Sequence, residues 1–378
     1  MQRKLRKKKI LFLLLGLAVI YSFWLGVQLV RFRTYTNPAL DKTPLEIQGS
    51  YHIHTTHSDG KKTPEKIAEL ASRSSLDFII LTDHGDPNLE SMAAAGWNKG
   101  ILVLTGSELS VSRGHLVALG FAPPSMPFSQ NAEQAAYQIK SLKGFSIIAH
   151  PYSKVAWSWG EPIGYNGIEI INANTLLKYD FLRSIPFLPS ILVKPDYALL
   201  KMLKRPVKNL KKWDELNRTH PTLGFYSVDA HLLYKPLLSF LQLHVLLKNP
   251  LSKEFEQASH QVLSALHQGR FYNAVDYAAQ SHGFRFWAQK GQKSVQMGEK
   301  SIFDSHVTLH VRAEFPFTCE VHLIHNGKKI MASREKRIVH KPTHPGFYRV
   351  EVYLKERTPM RKDIPWILSN PIFFREKS

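Results

Sequence analysis

The chain has 378 residues, 44% of them hydrophobic, enough for a full-sized core plus a smaller module. Its single cysteine, Cys319, excludes an internal disulfide and an all-thiolate metal site, and is expected to be a buried small hydrophobe. The net charge is +20, of which the first 33 residues supply +8; the remaining +12 would attract anionic lipid, phosphorylated substrates or an acidic polymer.

In chain order, Ile10 to Val30 comes first: 21 residues without a charge, long enough to cross a bilayer as a helix. Arg3, Lys4, Arg6, Lys7, Lys8 and Lys9 precede it, and only Arg31 and Arg33 follow closely. The positive-inside rule therefore makes residues 1–33 a cytoplasmic basic tail and a transmembrane anchor, with the rest of the chain outside. The stretch Trp24 to Arg31 offers no obvious small-residue cleavage site, which favours an uncleaved signal anchor over a signal peptide. Residues 34–45, with Asn37-Pro38 and Thr43-Pro44, read as a short polar link.

The run Tyr51-His52-Ile53-His54-Thr55-Thr56-His57-Ser58-Asp59-Gly60 follows. In an extended strand alternate residues share a face, so His52 and His54 could grip one cation together. Thr63-Pro64-Glu65-Lys66 opens a helix, with Thr63 as cap and Ile67, Leu70 and Ala71 as its buried stripe. Short apolar runs then alternate with metal-ligand types: Leu76 to Leu81 before Asp83-His84, Ile101 to Leu104 before Glu108, and His115 before Leu116 to Leu119. Phe145 to Ala149 leads to His150, and Gly224 to Val228 leads to Asp229-Ala230-His231. Such runs read as parallel strands buried on both faces, whose carboxyl ends gather at one mouth of a barrel. Six histidines and three carboxylates at one mouth imply metals.

Residues 175–218 look like an insertion rich in Lys and Arg with interleaved Phe, Ile and Leu. Two readings are open: a segment lying on a membrane surface, or a helical pair packed on the barrel. From residue 284 short alternating strands with turns at Asn326-Gly327 and Pro345-Gly346 suggest a small antiparallel sandwich over 284–378. Its histidines His306, His310, His322, His325, His340 and His344 lack carboxylates at consistent strand ends and read as surface or core residues.

The ordered set His52-x-His54, Ser58-Asp59-Gly60, Thr82-Asp83-His84, Glu108 with His115, His150-Pro151 and Asp229-Ala230-His231 resembles the PHP (polymerase and histidinol phosphatase) superfamily over about residues 46–283. Its order and trailing β-rich segment are similar to the branch with CehA/McbA-type metallohydrolases. The resemblance implies a distorted (β/α)7 barrel with two or three divalent metal ions, Zn, Mn or Fe suiting the mixed imidazole and carboxylate ligands. It assigns His52, His54, Glu108 and Asp229 to a first metal, Glu108 as a bridge to a second with His115 and His150, and Asp59, His84 and His231 to a third. It also implies phosphoester hydrolysis by a metal-bridging hydroxide, with Glu108, Asp229 and His231 as the candidate catalytic residues.

Asp83 reads as a supporting rather than a ligating residue, and His57 and Arg113 are candidate substrate contacts. The expected substrate is a small anionic or phosphorylated molecule, and no nucleic-acid recognition motif appears. Two alternatives stand beside phosphoester hydrolysis. One is carbamate, ester or amide cleavage at the same metals, which an apolar pocket lined by Trp157, Trp159 or Phe181 would favour and cations at the mouth would not. The other is a noncatalytic envelope scaffold.

Overall fold

The computed structural model describes residues 2–37, 43, 45–160, 164–179 and 185–376. Pro38 and Pro44 of the link and Phe181 of the insertion lie outside the described residues. Helix α1 (Gln2–Arg31) is continuous, and its Arg6–Arg31 portion is apolar and long enough for a membrane span or signal anchor.

The next elements are β1 (Glu46–Ile53), α2 (Pro64–Ser72), β2 (Phe78–Leu81), α3 (Leu89–Met92), β3 (Gly96–Asn98), β4 (Ile101–Val111), β5 (Gly114–Leu119), α4 (Ala132–Ser141), β6 (Phe145–Ile148) and β7 (Gly167–Asn172). Then come α5 (Ala173–Tyr179), a 3₁₀ turn at Ile185–Phe187, α6 (Leu188–Val193), α7 (Pro195–Met202), α8 (Val207–Thr219), β8 (Leu223–Ser227), α9 (Tyr234–Phe240), β9 (Gln242–Leu246), α10 (Phe255–His267) and β10 (Phe271–Ala274). Helix α2 starts as expected: the Thr63 side chain accepts from Lys66 N, and Ile67, Leu70 and Ala71 are buried.

The fold is mixed α/β around one large sheet, in which β1–β2–β4 and β6–β7–β8 pair in parallel. β5 runs antiparallel to both β4 and β6. The reversal comes from a tight turn at Ser112-Arg113, which Gly114 leaves with φ +134°. It explains why His115 precedes its apolar run: the amino end of β5 lies where its neighbours have their carboxyl ends. Beyond β8 the chain bonds back to β1, with Val228 N donating to Tyr51 O at 3.1 Å and His54 N to Ala230 O at 3.0 Å.

Alternation divides the strand side chains between two apolar layers. Phe78 and Ile80 pack with Leu102, Leu104, Val117 and Phe225 under α10, whereas Ile79, Leu81 and Val103 join a larger layer with α2 and α4. Rigid, doubly buried strands are what hold the polar residues at their ends in fixed positions.

The C-terminal residues form β11 (Arg285–Lys290), β12 (Lys293–Gln296), β13 (Lys300–Ile302), β14 (Thr308–Arg312), β15 (Cys319–His325), β16 (Lys328–Ser333), β17 (Arg337–His340), β18 (Gly346–Leu354), β19 (Ile367–Ser369) and β20 (Ile372–Arg375). β12–β11–β14–β17 make a separate antiparallel sheet. β19 instead pairs with β10, which joins β18, β15, β16, β20 and β13 to the large sheet, and β13–β20 is parallel. Cys319 is buried, and burial pushes its thiol up to about 11.

Candidate metal centre

All nine ligand-type residues converge at one mouth. Glu108, fully buried on β4, is the hub: its Oε1 lies 3.0 Å from His115 Nδ1 and 2.8 Å from His150 Nε2. Its Oε2 lies 3.2 Å from both His52 Nε2 and His54 Nε2, and 3.4 Å from His84 Nδ1. Asp229 Oδ1 sits 3.4 Å from His54 Nε2, and Asp59 Oδ1 sits 3.0 Å from His231 Nε2.

Four groups of side chains could each hold an ion: His52 with His54 and Asp229; His52 with Glu108 and His150; His84 with Glu108 and His115; and His54 with Asp59, His84 and His231. The donor set fits a cation on its own chemistry. His52 Nε2, His54 Nε2 and Glu108 Oε2 are buried, face one another and have no hydrogen-bond partner. Leaving such atoms unsatisfied is costly unless something else occupies the space between them.

The electrostatics agree. Burial would depress the His52 imidazole, but Glu169, Glu108 and Asp229 hold it well above its usual value, and Asp229 and Glu108 likewise raise His54 to about 9. Burial opposes ionisation of Glu108, yet His52, His115 and His150 keep it well below the usual carboxylate range. The buried carboxylates demand positive charge, which protons supply if no metal does.

Simple strand alternation does not bring His52 and His54 together. The register of β1 against β2 shifts between Tyr51 and Ile53, and His52 sits at that bulge with φ +69°. His150 (φ +26°) and Asp229 (φ +48°) also occupy left-handed backbone. Each costs about 1–3 kcal/mol for a residue with a Cβ, a cost that packing elsewhere must offset.

Sequence reasoning missed Glu169. Buried on β7, it takes His52 Nδ1 at 2.6 Å, His150 N at 2.8 Å and Asn172 Nδ2 at 2.9 Å. It thereby fixes the ring of one ligand-type residue and the backbone of another, while Asn172 Nδ2 also reaches Asp229 Oδ2 at 3.1 Å. The signal was present as a lone acid inside the apolar run Ile168-Glu169-Ile170-Ile171.

Asp83 acts as a support. It accepts from Thr55 N (2.6 Å), Thr55 Oγ1 (2.8 Å), Ser58 Oγ (2.5 Å) and Ser91 Oγ (2.5 Å), tying down the loop that carries Asp59. His57 stands at the rim with Nδ1 3.5 Å from Glu90, and Arg113 pairs with Glu133. Neither lines the cavity of 260 Å³ above the cluster, whose wall is Ser153, Lys154, Val155, Asn174, Thr175 and Lys178. Trp157 is buried against Gly114, and Trp159 lies under Lys212, so neither aromatic ring lines it either.

A second histidine and carboxylate group, Glu46 with His244 and His282, lies apart from the mouth. None of the six C-terminal histidines joins a metal-type group among the described residues.

No protein-family model matches the chain. It is 26% identical over 145 residues to an uncharacterized protein of Methanocaldococcus jannaschii, covering 34% of this chain and 82% of that one. It is 39% identical over 77 residues to a 3',5'-nucleoside bisphosphate phosphatase of Chromobacterium violaceum, covering 19% of this chain and only 27% of the phosphatase. Among solved structures, a two-domain protein from Bacteroides vulgatus described as containing a predicted PHP-like metal-dependent phosphoesterase superposes with a TM-score of 0.46 at 14% identity, covering 90% of this chain and 99% of that one. The likeness to the curated phosphatase is thus local, confined to 77 residues of this chain.

Proposed function

We propose that the chain is a metal-dependent phosphoesterase anchored in the membrane by α1, with its metal centre on the far side from the basic N-terminal tail. The observation that carries the reading is the set of buried, mutually facing and unpartnered atoms of His52, His54 and Glu108 beneath a cavity with Lys154 and Lys178 in its wall. The strands β1–β2–β4–β5–β6–β7–β8 are read as the distorted barrel of the superfamily, and residues 284–378 as a sandwich-like unit joined to it through β19.

In this reading His52, His54, Glu108 and Asp229 hold one ion, His115 and His150 share Glu108 to hold a second, and Asp59, His84 and His231 hold a third. Bound divalent ions would lower the pKa of a coordinated water towards neutrality and clamp phosphoryl oxygens. The protein's share is positional. Glu108 keeps two groups of imidazoles at a fixed spacing through its two oxygens, and Glu169 holds His52 in one ring orientation. Lys154 and Lys178 line the wall where an anionic substrate would lie, and a lining that among the described residues includes these cations but neither Trp157 nor Trp159 favours phosphoester over aryl carbamate. Substrates in the class of the Chromobacterium violaceum relative, small nucleoside phosphates, are the first to try.

The test uses the full chain in detergent. Elemental analysis should find two or three divalent ions per chain, and hydrolysis of a phosphomonoester, a phosphodiester or a 3',5'-nucleoside bisphosphate should be lost in His150→Ala. Cleavage of an aryl carbamate alone would overturn the phosphoester assignment, and a chain without metal or activity after reconstitution would overturn the enzyme.

A further inference from the structure

Helix α1 does not simply lead away from the rest of the chain; the insertion is packed along it. Tyr21 OH donates to Pro186 O, and Lys194 Nζ donates to Leu29 O at 2.8 Å and Phe32 O at 2.5 Å while lying 4.9 Å from the Phe32 ring. Phe32 in turn packs edge-on against Tyr197 of α7, and Leu25 is buried. Tyr21 precedes Arg31 by ten residues, about 15 Å along a helix. The contacts therefore run over much of the outer half of the charge-free stretch Ile10–Val30, the part that a spanning helix would place in lipid.

The segment that meets α1 there is itself free of charge. Ile185-Pro186-Phe187-Leu188-Pro189-Ser190-Ile191-Leu192-Val193 contains no Asp, Glu, Lys or Arg, although residues 175–218 as a whole are strongly basic. Three of its aliphatic side chains are turned outwards, Leu192 at 90% and Val193 at 77% exposure with Ile185 also exposed, while Phe187 is half-buried against the core. Several of its polar groups are satisfied internally. Pro186 O takes Tyr21, Phe187 O takes Ser190 Oγ at 2.5 Å, and Ser190 O takes Lys194 N at 2.7 Å. Exposed aliphatic side chains on a backbone with such bonds suit hydrocarbon better than water.

We infer that residues 185–193 form a second membrane-contacting element, a short wedge seated in the outer leaflet of the bilayer that α1 spans. The occupant of this apolar face is lipid: the face continues that of α1, and the basic residues of α7 and α8, among them Lys201, Lys208 and Lys211, follow it in the chain where they can meet anionic headgroups. Helix α5, which contributes Lys178 to the cavity wall, opens the same insertion, so the wedge bears on how the metal centre is held at the membrane. The inference rests on the anchoring proposed above.

The test labels the full chain, in a Cys319→Ser background, with a nitroxide at Phe12→Cys, Leu192→Cys, Val193→Cys or Tyr137→Cys. The variants are reconstituted into vesicles of phosphatidylcholine and phosphatidylglycerol. Phe12 (71% exposed on α1) is the lipid reference, and Tyr137 (75% exposed on α4) the water reference. Labels at Leu192 and Val193 should collide with oxygen as the Phe12 label does, and with a water-soluble nickel chelate several-fold less often than the Tyr137 label. If Phe12 is lipid-exposed but both insertion labels are as accessible to nickel as Tyr137, the wedge is refuted and the anchor stands. If Phe12 is itself accessible to nickel, anchoring fails and the wedge with it. Spin–spin broadening at Leu192 would identify a second copy of the chain as the occupant and overturn the assignment to lipid.

Discussion

Among the described residues there are two buried clusters of histidine and carboxylate, and the atoms at their centres are treated in opposite ways. At the mouth, Glu108 Oε2, His52 Nε2 and His54 Nε2 face one another with no hydrogen-bond partner. In the cluster around Glu46 the carboxylate is saturated: Oε1 takes Tyr272 OH at 2.5 Å and the Nδ1 atoms of His244 and His282 at 3.2 Å, and Oε2 takes Arg285 Nη1 at 2.5 Å and Gly283 N at 3.2 Å. His244 Nε2 completes the set against Asp276 at 2.7 Å and Ser281 Oγ at 2.9 Å. Similar residue types thus serve different ends. Where a guanidinium and N–H and O–H donors already neutralise and surround the carboxylate, a metal has little to add, and the cluster ties β1 to the start of β11. Where the donors are imidazoles alone and their inner atoms are orphaned, a cation is the missing partner.

The largest effects should come from removing each carboxylate in turn. Glu108→Gln should cost the ions that share Glu108, leaving at most the one held by Asp59, His84 and His231, and lower hydrolysis by at least about 10³-fold, while the fold survives, because the residue's partners are ligands in waiting. Elemental analysis and circular dichroism on the same sample check both halves; full metal content in the variant would remove Glu108 from the centre. Glu46→Gln should do the reverse. Four cationic or donating side chains, Tyr272, His244, His282 and Arg285, would lose a charged buried partner at a cost of about 3 kcal/mol, read as a lower denaturation midpoint, with metal content per folded chain unchanged. A Glu46 variant that loses metal would erase the distinction between the clusters.

The mouth was legible in the sequence because a ligand at a strand end leaves two marks, its own residue type and the apolar run beside it. That is how Glu108, His150 and Asp229 could be placed before any coordinates. The backbone that aims them left no mark. His52 converges on His54 through a bulge and a left-handed φ, not through strand alternation, and only packing across the sheet fixes such a conformation. The Glu46 cluster was illegible for a related reason: its members come from residues 46, 244, 272, 276, 282 and 285, and local pattern does not report which distant strands become neighbours. The same holds for β19, whose pairing with β10 joins most of the C-terminal strands to the large sheet.

Protonation should separate the clusters again, by a smaller amount. Burial works against a charged His244, but Asp276 and Glu46 raise it to about 9, above the value near 6.5 expected in the unfolded chain. Its contribution is therefore fully present below about pH 6.5 and is lost as pH rises towards 9, a span worth on the order of 2–3 kcal/mol. In metal-saturated protein the mouth should add no such loss, since its histidines then hold ions rather than protons, and protons compete with the metal only as pH falls. Thermal melts of the metal-saturated chain from pH 6 to 9.5 should decline, and His244→Gln should flatten that decline from a lower starting point. An unchanged slope in the variant would show that His244 is not the titrating group.

Glu169 gives the finest test, because it resembles the Glu46 cluster in being fully hydrogen-bonded yet belongs to the mouth by what it touches. If its work is to hold His52 and the His150 backbone, Glu169→Gln should keep the shape and lose the charge that favours one ring orientation. Metal affinity, read by competition with a chelator, should fall about ten- to hundredfold, with activity restored by excess metal. A purely structural role predicts the opposite division: a lower melting temperature with the chelator midpoint unmoved. The two clusters would then differ only in their inner atoms, and support for the mouth would have to come from elsewhere, with the bonds of Asp83 to Thr55 and Ser58 the next to examine.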